Sequence, residues 1–199
     1  MIIIDYGAGN LKNLKNAFDY LNVPVEISSE SAKIAGADKL ILPGVGAFGY
    51  AMQNLHQRDL VQPLIESVTA GVPLLGICLG MQLLFSASEE APDVDGLNLI
   101  PGTVKRFQIG FKVPHMGWNE LVPQPGSLLT AGIPVESYAY FVHSYYCVPE
   151  NPAHSAAVTN YDIDFTSMVQ YEHIFGTQFH PEKSQDVGLQ ILKNFVEFG

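Results

Sequence analysis

The chain has 199 residues, enough for one compact domain whose core needs no disulfide or metal staple. Ten Lys and Arg against twenty Asp and Glu give a formal charge of −10, which argues against nucleic acid or an anionic membrane as the main partner. Only 15% of residues are charged, below the usual ~25%, so much of the chain is expected to lie in a core or against a partner, and eleven Phe and nine Tyr exclude a disordered chain. The two cysteines, Cys78 and Cys147, build no disulfide framework and neither has metal-ligand spacing, so no metal and no cofactor are expected. The opening MIIIDYGAGN is apolar for only four positions. That predicts no signal segment and a reducing, cytoplasmic setting. Ser67–Ser88 is uncharged over 22 residues, but glycines, Pro73 and Gln82 interrupt it, so it reads as strand, turn and helix rather than a membrane span.

In chain order, Ile2–Asp5 reads as a buried strand running into the glycine loop Tyr6–Gly9. Asn10 is placed to cap a helix on which Leu11, Leu14, Phe18 and Leu21 recur at helical spacing. Val23–Ile27 and Asp38–Leu42 read as further strands, and residues 50–70 as helix broken in two by Pro63. Pro73–Ile77 reads as a fourth strand, with helical character over Leu79–Phe85. This alternation predicts an α/β fold: a mostly parallel open sheet with helices on both faces. The second half is different. Val104–Phe107, Trp118–Val122, Tyr138–Val142, Ala156–Tyr161, Thr166–Tyr171 and Ile174–Phe179 are short β-rich runs between turns, which predicts an antiparallel β extension of the sheet. Asp186–Phe198 reads as a closing amphipathic helix, and nothing in the pattern divides residues 1–199 into more than a single domain.

Three constellations carry chemistry. Gly76-Ile77-Cys78-Leu79-Gly80 follows an apolar strand and precedes a helix. A nucleophile between two glycines in that setting forms a sharp elbow that exposes its side chain, and a helix N-terminus favours the thiolate. Cys147 has no such setting and reads as structural. A cysteine nucleophile needs a base and a group to orient the base. His180 follows an apolar strand, with Glu182 two residues on and Pro181 stiffening the link. His56, His154 and His173 read as ordinary histidines, while His115 and His143 sit among aromatic and apolar residues and stay open. The third constellation is the loop Leu42–Gly49. It holds no Lys or Arg to favour a phosphate, and its backbone N–H groups, with that of Leu79, are suited to an oxyanion hole.

GICLGMQ, PGVGAFG and HPEKS together resemble the class I, triad-type glutamine amidotransferases, a flavodoxin-like fold. DYGAGN, KVPHMGWN, YFVHSYY and QFHPEKSQ are similar, more narrowly, to the glutaminase subunits of imidazole glycerol phosphate synthase, over essentially the whole chain. The resemblance implies that Cys78 attacks the side-chain amide of L-glutamine, that His180 passes the proton to the leaving ammonia, and that Glu182 orients His180. It implies an oxyanion site from Leu79 and the loop of Gly44, Val45 and Gly46, and substrate contacts from Gln82, Glu90, Ser144 and Tyr145. It also implies a heterodimer with a (β/α)₈ cyclase subunit that uses the ammonia in histidine biosynthesis to make imidazole glycerol phosphate and an aminoimidazole carboxamide ribonucleotide. Met116, Trp118, Asn119, Tyr140 and Lys183 fall on the implied partner-facing surface. Trp118, the only Trp, is by itself equally a core residue. Three other readings remain: a glutaminase subunit serving another synthase, a flavodoxin-like module holding a phosphate or flavin, and an elbow-bearing cysteine hydrolase of the peptidase type, which would share Cys78 and His180 but gives no reason for Gln82 or the HPEKSQ run.

Overall fold

The computed structural model describes residues 1–198. Its centre is a parallel sheet whose strands, except the edge strand β2, are mostly apolar runs: β1 (Ile2–Ile4), β2 (Glu26–Ser28), β3 (Leu40–Leu42), β4 (Leu74–Ile77) and β12 (Ile174–Thr177), side by side in the order β2-β1-β3-β4-β12. Runs such as Ile-Ile-Ile and Leu-Ile-Leu suit strands that are buried on both faces. Successive residues point to opposite sides. Ile2 and Ile4 therefore pack with Ile34, Leu55 and Leu64 of α2 (Ser31–Ala35), α3 (Phe48–Gln57) and α4 (Val61–Thr69). Ile3 packs on the other face with Phe18 of α1 (Leu11–Tyr20) and with Ile191 and Phe195 of α6 (Gln185–Phe198).

Beyond β12 the sheet turns antiparallel through β11 (Ile163–Tyr171), β10 (Ser155–Tyr161), β7 (His115–Pro123) and β8 (Ser137–His143). A side branch joins β5 (Phe85–Ser88), β6 (Ile100–Arg106) and β9 (Tyr145–Pro149) to β11. The expected parallel sheet with an antiparallel extension is thus present. Several boundaries differ from the sequence reading, each for a local reason. Pro63 does not break a helix. The break falls at Arg58–Leu60, where Asp59 adopts φ 54°, and Pro63 occupies the first turn of α4, where its missing N–H removes no intrahelical bond. The helix after Cys78, α5, is only Leu79–Leu83, and Phe85 already belongs to β5. The second strand begins three residues later than Val23, because Val23 N–H is still bonded to Phe18 in the turn that closes α1. Asn10 does cap α1, its Oδ1 accepting from the Asn13 N–H at 3.3 Å.

Candidate active site

β4 and β12 are parallel neighbours with Ile77 opposite Thr177, so their C-terminal ends emerge together although they are 100 residues apart in sequence. Cys78 follows one end and His180 the other. The Cys78 N–H donates to the Thr177 carbonyl at 2.7 Å, which ties the turn to the neighbouring strand. Cys78 itself takes φ 54°, ψ −110°, a conformation rarely tolerated by a residue with a side chain. The flanking glycines have a different task from the one their spacing suggests. Neither takes up the positive φ. A Cβ on Gly80 would collide with the carbonyl oxygen of Leu42, and one on Gly76 would lie 2.7 Å from the carbonyl oxygen of Gly80. Gly80 lets the elbow pack directly on the backbone of β3, Gly76 lets the helix after the cysteine fold back onto β4, and the strain is left on the cysteine.

His180 is fixed at its backbone and at its ring. Its N–H donates to the Tyr140 carbonyl at 3.0 Å, and its carbonyl accepts from the Ser184 hydroxyl at 2.7 Å. Pro181–Lys183 forms one 3₁₀ turn, which brings Glu182 back so that His180 Nδ1 donates to its Oε1 at 2.9 Å. Both side chains are nearly inaccessible, at 3% and 4% exposure. The carboxylate thereby selects the ring tautomer and leaves Nε2 to face the cysteine. Nε2 is buried and lacks a partner at good hydrogen-bond geometry, a looseness common at catalytic contacts before substrate is bound. Cys78 still acts on the ring. Burial lowers the imidazole pKa, but interaction with Cys78 and with Glu182 outweighs burial and raises it to about 10.

The glycine loop after β3 closes the site from another side. Tyr6, buried beneath it, donates its hydroxyl to the Pro43 carbonyl at 2.7 Å. Burial, followed by the nearby Cys78, raises the Tyr6 pKa, so the phenol keeps the proton that this bond needs. Gly44 is pressed against Tyr6 and Leu79 with no room for a Cβ, whereas Gly46, at φ +105°, has open space around it. The loop is thus anchored at Gly44 and open at Gly46.

A cavity of about 420 Å³ gathers Val45, Gly46, Cys78, Leu79, Gln82, Glu90, Ser144, Tyr145 and His180. Pro114, Val142 and His143 complete its wall. Gly44 and Glu182 stand behind it, around a small void beside His180. Several predicted substrate contacts already have protein partners. One Glu90 oxygen accepts from the Phe48 N–H at 2.8 Å, at the start of α3. The Ser144 carbonyl accepts from Phe107, and the Tyr145 carbonyl accepts from both Gln82 and His143. Among the described residues no group of His, Cys, Asp and Glu is placed to hold a metal ion.

The predicted partner-facing residues divide between two faces of the β7–β8 ribbon. Met116 and Trp118 are 62% and 48% exposed, and Trp118 lies opposite Tyr140 in register. Their rings meet edge to face at 6.1 Å, and the Lys183 ammonium sits 5.8 Å from the centre of the Tyr140 ring. Trp118 is therefore not a core residue. Asn119 points to the opposite face, where its amide bonds His115 Nε2 at 3.2 Å and the Asn160 carbonyl at 2.9 Å. His115 and His143, left open by the sequence, are buried in mutual contact at 3.0 Å. Burial lowers their pKa values to about 4 and about 3, so both are neutral near pH 7. Tyr6 and Gln178, with Thr177 and Ser184, are buried polar residues beside the site that sequence reasoning passed over. The available signal was polarity in otherwise apolar strand ends, where an unpaired side chain is expensive.

A strained cysteine on an α/β sheet, beside a histidine held by a carboxylate, is an arrangement suited to nucleophilic chemistry at sulfur. The sequence matches the Glutamine amidotransferase class-I family over residues 2–198, and the chain belongs to that family. It is 53% identical to the imidazole glycerol phosphate synthase subunit HisH of Moorella thermoacetica, over 98% of this chain and 93% of that one. It is 49% identical to the subunit of the same name from Methanothermobacter thermautotrophicus, over 98% and 96% of the two chains. The fold is shared more widely. A solved glutamine amidotransferase superposes with a TM-score of 0.77 at 18% identity, over 98% of this chain and 97% of that chain. A chain of PurLQS from Thermotoga maritima superposes with a TM-score of 0.76 at 15% identity, over 99% and 97%.

Proposed function

We propose that this chain is the glutaminase subunit of an imidazole glycerol phosphate synthase and works as one domain. The supporting observation is Cys78, held at φ 54° over a cavity it shares with His180, in a chain 53% identical to a relative bearing that subunit's name. The thiol proton passes to His180, and the sulfur attacks the side-chain carbonyl carbon of L-glutamine. The tetrahedral oxyanion is received by backbone N–H groups of Leu79 and of the Val45–Gly46 segment, with Gly44 as its anchor. His180 returns the proton to the leaving nitrogen, ammonia departs, and a thioester remains. Water, deprotonated by the same histidine, hydrolyses the thioester to glutamate and frees the thiol. Glu182 keeps the imidazole oriented and its cation stabilised throughout.

Gln82, Glu90, Ser144 and Tyr145 line the volume that the glutamine backbone end would fill, and the free oxygen of Glu90 suits an ammonium group. The exposed face of Met116, Trp118, Tyr140 and Lys183 is assigned to a cyclase partner that consumes the ammonia in histidine biosynthesis. Asn119 would act there from the inner face. No helix of the described residues is long and apolar enough to cross a membrane, and we place the complex in the cytoplasm. The test is glutamine-dependent synthesis by the chain with its cyclase partner. Cys78→Ala should lower it by roughly 10⁴-fold or more while synthesis from added ammonium persists. Substantial glutamine-dependent synthesis in that variant would reject the assignment.

A further inference from the structure

The Tyr145 main-chain carbonyl is a junction between two chains of buried side chains. It accepts from Gln82 Nε2 at 3.2 Å and lies 2.7 Å from His143 Nδ1. A carbonyl oxygen has lone pairs and no proton, so both partners must donate to it, and this sets every other direction in the network. Gln82 presents its NH₂ group to the carbonyl. The same nitrogen lies 3.1 Å from Gln178 Oε1 and donates its second hydrogen there. Gln178 therefore turns its oxygen to Gln82 and its own NH₂ group to the Cys78 sulfur, 3.9 Å away.

The second arm is equally determined. His143 carries its proton on Nδ1, which leaves a lone pair on Nε2. His115 Nδ1 donates to that lone pair at 3.0 Å, and His115 Nε2 accepts from the Asn119 NH₂ group at 3.2 Å. A protonated His143 would oppose its Nε2 hydrogen to that of His115 and break the order. Burial above all keeps it neutral, outweighing the Tyr145 carbonyl, which favours the charged ring, and His115 and His180 nearby act in the same sense as burial.

We propose that Gln178 is a further catalytic residue of this site: its amide N–H, aimed by Gln82 and the Tyr145 carbonyl, holds the Cys78 sulfur in place and favours its thiolate. This rests on Cys78 being the nucleophile. Gln178 is fully buried, so rotation away from this arrangement would strand an amide without partners. An N–H directed at sulfur is a weak contact with a thiol and a stronger one with a thiolate, so it stabilises the reactive form. Gln82 is the positioning residue. With its two hydrogens committed to Tyr145 and Gln178, its amide supplies orientation rather than a donor for substrate. The carbonyl that anchors it belongs to the wall of the same cavity, so the register of β9 and the direction of the sulfur are set together.

The experiment is the pH profile of iodoacetamide alkylation, read as the mass of the Cys78 peptide in the full chain. It is paired with kcat and KM for glutamine hydrolysis in the complex with the cyclase. The other titratable groups that face Cys78, namely Tyr6, Cys147 and His180, are unchanged in the variants. Gln178→Leu should move the alkylation midpoint up by about one pH unit and lower kcat by about tenfold, with KM within about twofold. Gln82→Leu, which leaves Gln178 in place, should shift both in the same direction by less, and it carries the test if Gln178→Leu does not fold. The double variant should be no worse than Gln178→Leu alone, because the two residues act through one hydrogen bond. An unchanged midpoint and kcat in Gln178→Leu, or fully additive effects in the double variant, would overturn the proposal. Hydrolysis lost on Cys78 alkylation of the unaltered chain establishes the nucleophile separately, so these outcomes bear on Gln178 alone. Hydrolysis surviving that alkylation overturns both.

Discussion

One wall of the cavity is built of backbone and glycine, the facing wall of buried polar side chains. The first comprises the Gly44–Gly46 loop and the Cys78 elbow, where Gly80 lies against the Leu42 carbonyl and the cysteine takes a positive φ. The second presents Gln82 and His143 to the cavity, backed by Gln178 and His115, all joined through the Tyr145 carbonyl. The comparison separates two ways of holding a reactive atom. Close backbone packing fixes where the sulfur emerges. A directional hydrogen-bond chain fixes which way it points and what charge it favours.

The largest expected effect lies where the two walls meet, at the base. His180→Asn should lower kcat for glutamine hydrolysis by roughly 10⁴-fold or more, because proton transfer itself is lost. Glu182→Gln should be about tenfold to a hundredfold less severe. Histidine NMR should then show the His180 titration moved down from about 10, since the carboxylate that stabilises the imidazolium is gone. A greater loss in Glu182→Gln than in His180→Asn would reverse the assigned roles.

The glycine wall is broken sterically. Gly80→Ala places a methyl group on the Leu42 carbonyl, so unfolding in urea should show a loss at or above the upper end of the roughly 1–3 kcal/mol typical of overpacking. Stability within about 0.5 kcal/mol of the parent would mean that β3 and the elbow separate readily.

The smallest effect sharpens the polar wall. His115 and His143 titrate below the ordinary value of 6.5 in the folded chain, at about 4 and about 3, so the unfolded chain binds more protons between those limits. Stability attributable to them is therefore complete above about pH 6.5 and falls as the pH is lowered through that window, by at most about 1.4 kcal/mol per pH unit for each histidine. His143→Phe should flatten the acid limb of a stability–pH curve while costing stability at pH 7, where His115 loses its acceptor. An acid limb as steep as the parent's would place the buried proton uptake elsewhere.

The two walls also differ in how far the sequence revealed them. Glycine spacing is local, so GICLG and PGVG marked the backbone wall directly, and the HPE run marked the base with its carboxylate. Even there the reason was hidden. Gly80 serves contact with β3, a strand more than thirty residues away, Gly76 serves contact with the turn after the cysteine, and the positive φ belongs to the cysteine. The polar wall was hardly legible. Gln82 and Gln178 are 96 positions apart and meet only because β4 and β12 are neighbours. His115 and His143 meet only because β7 and β8 pair in that register. The parallel core was readable from continuous apolar runs, whereas short elements such as α2 and β9 carry too few residues for a period to show.

The central claim is that Cys78 forms a glutamyl thioester with His180 as its proton carrier. Rapid acid quench of the complex during glutamine turnover, followed by mass analysis of the cysteine peptides, tests it most directly. The account predicts a glutamyl adduct on the Cys78 peptide that disappears in Cys78→Ala and fails to accumulate in His180→Asn, with the Cys147 peptide unmodified. A glutamyl adduct on Cys147, or undiminished hydrolysis in Cys78→Ala, would contradict it.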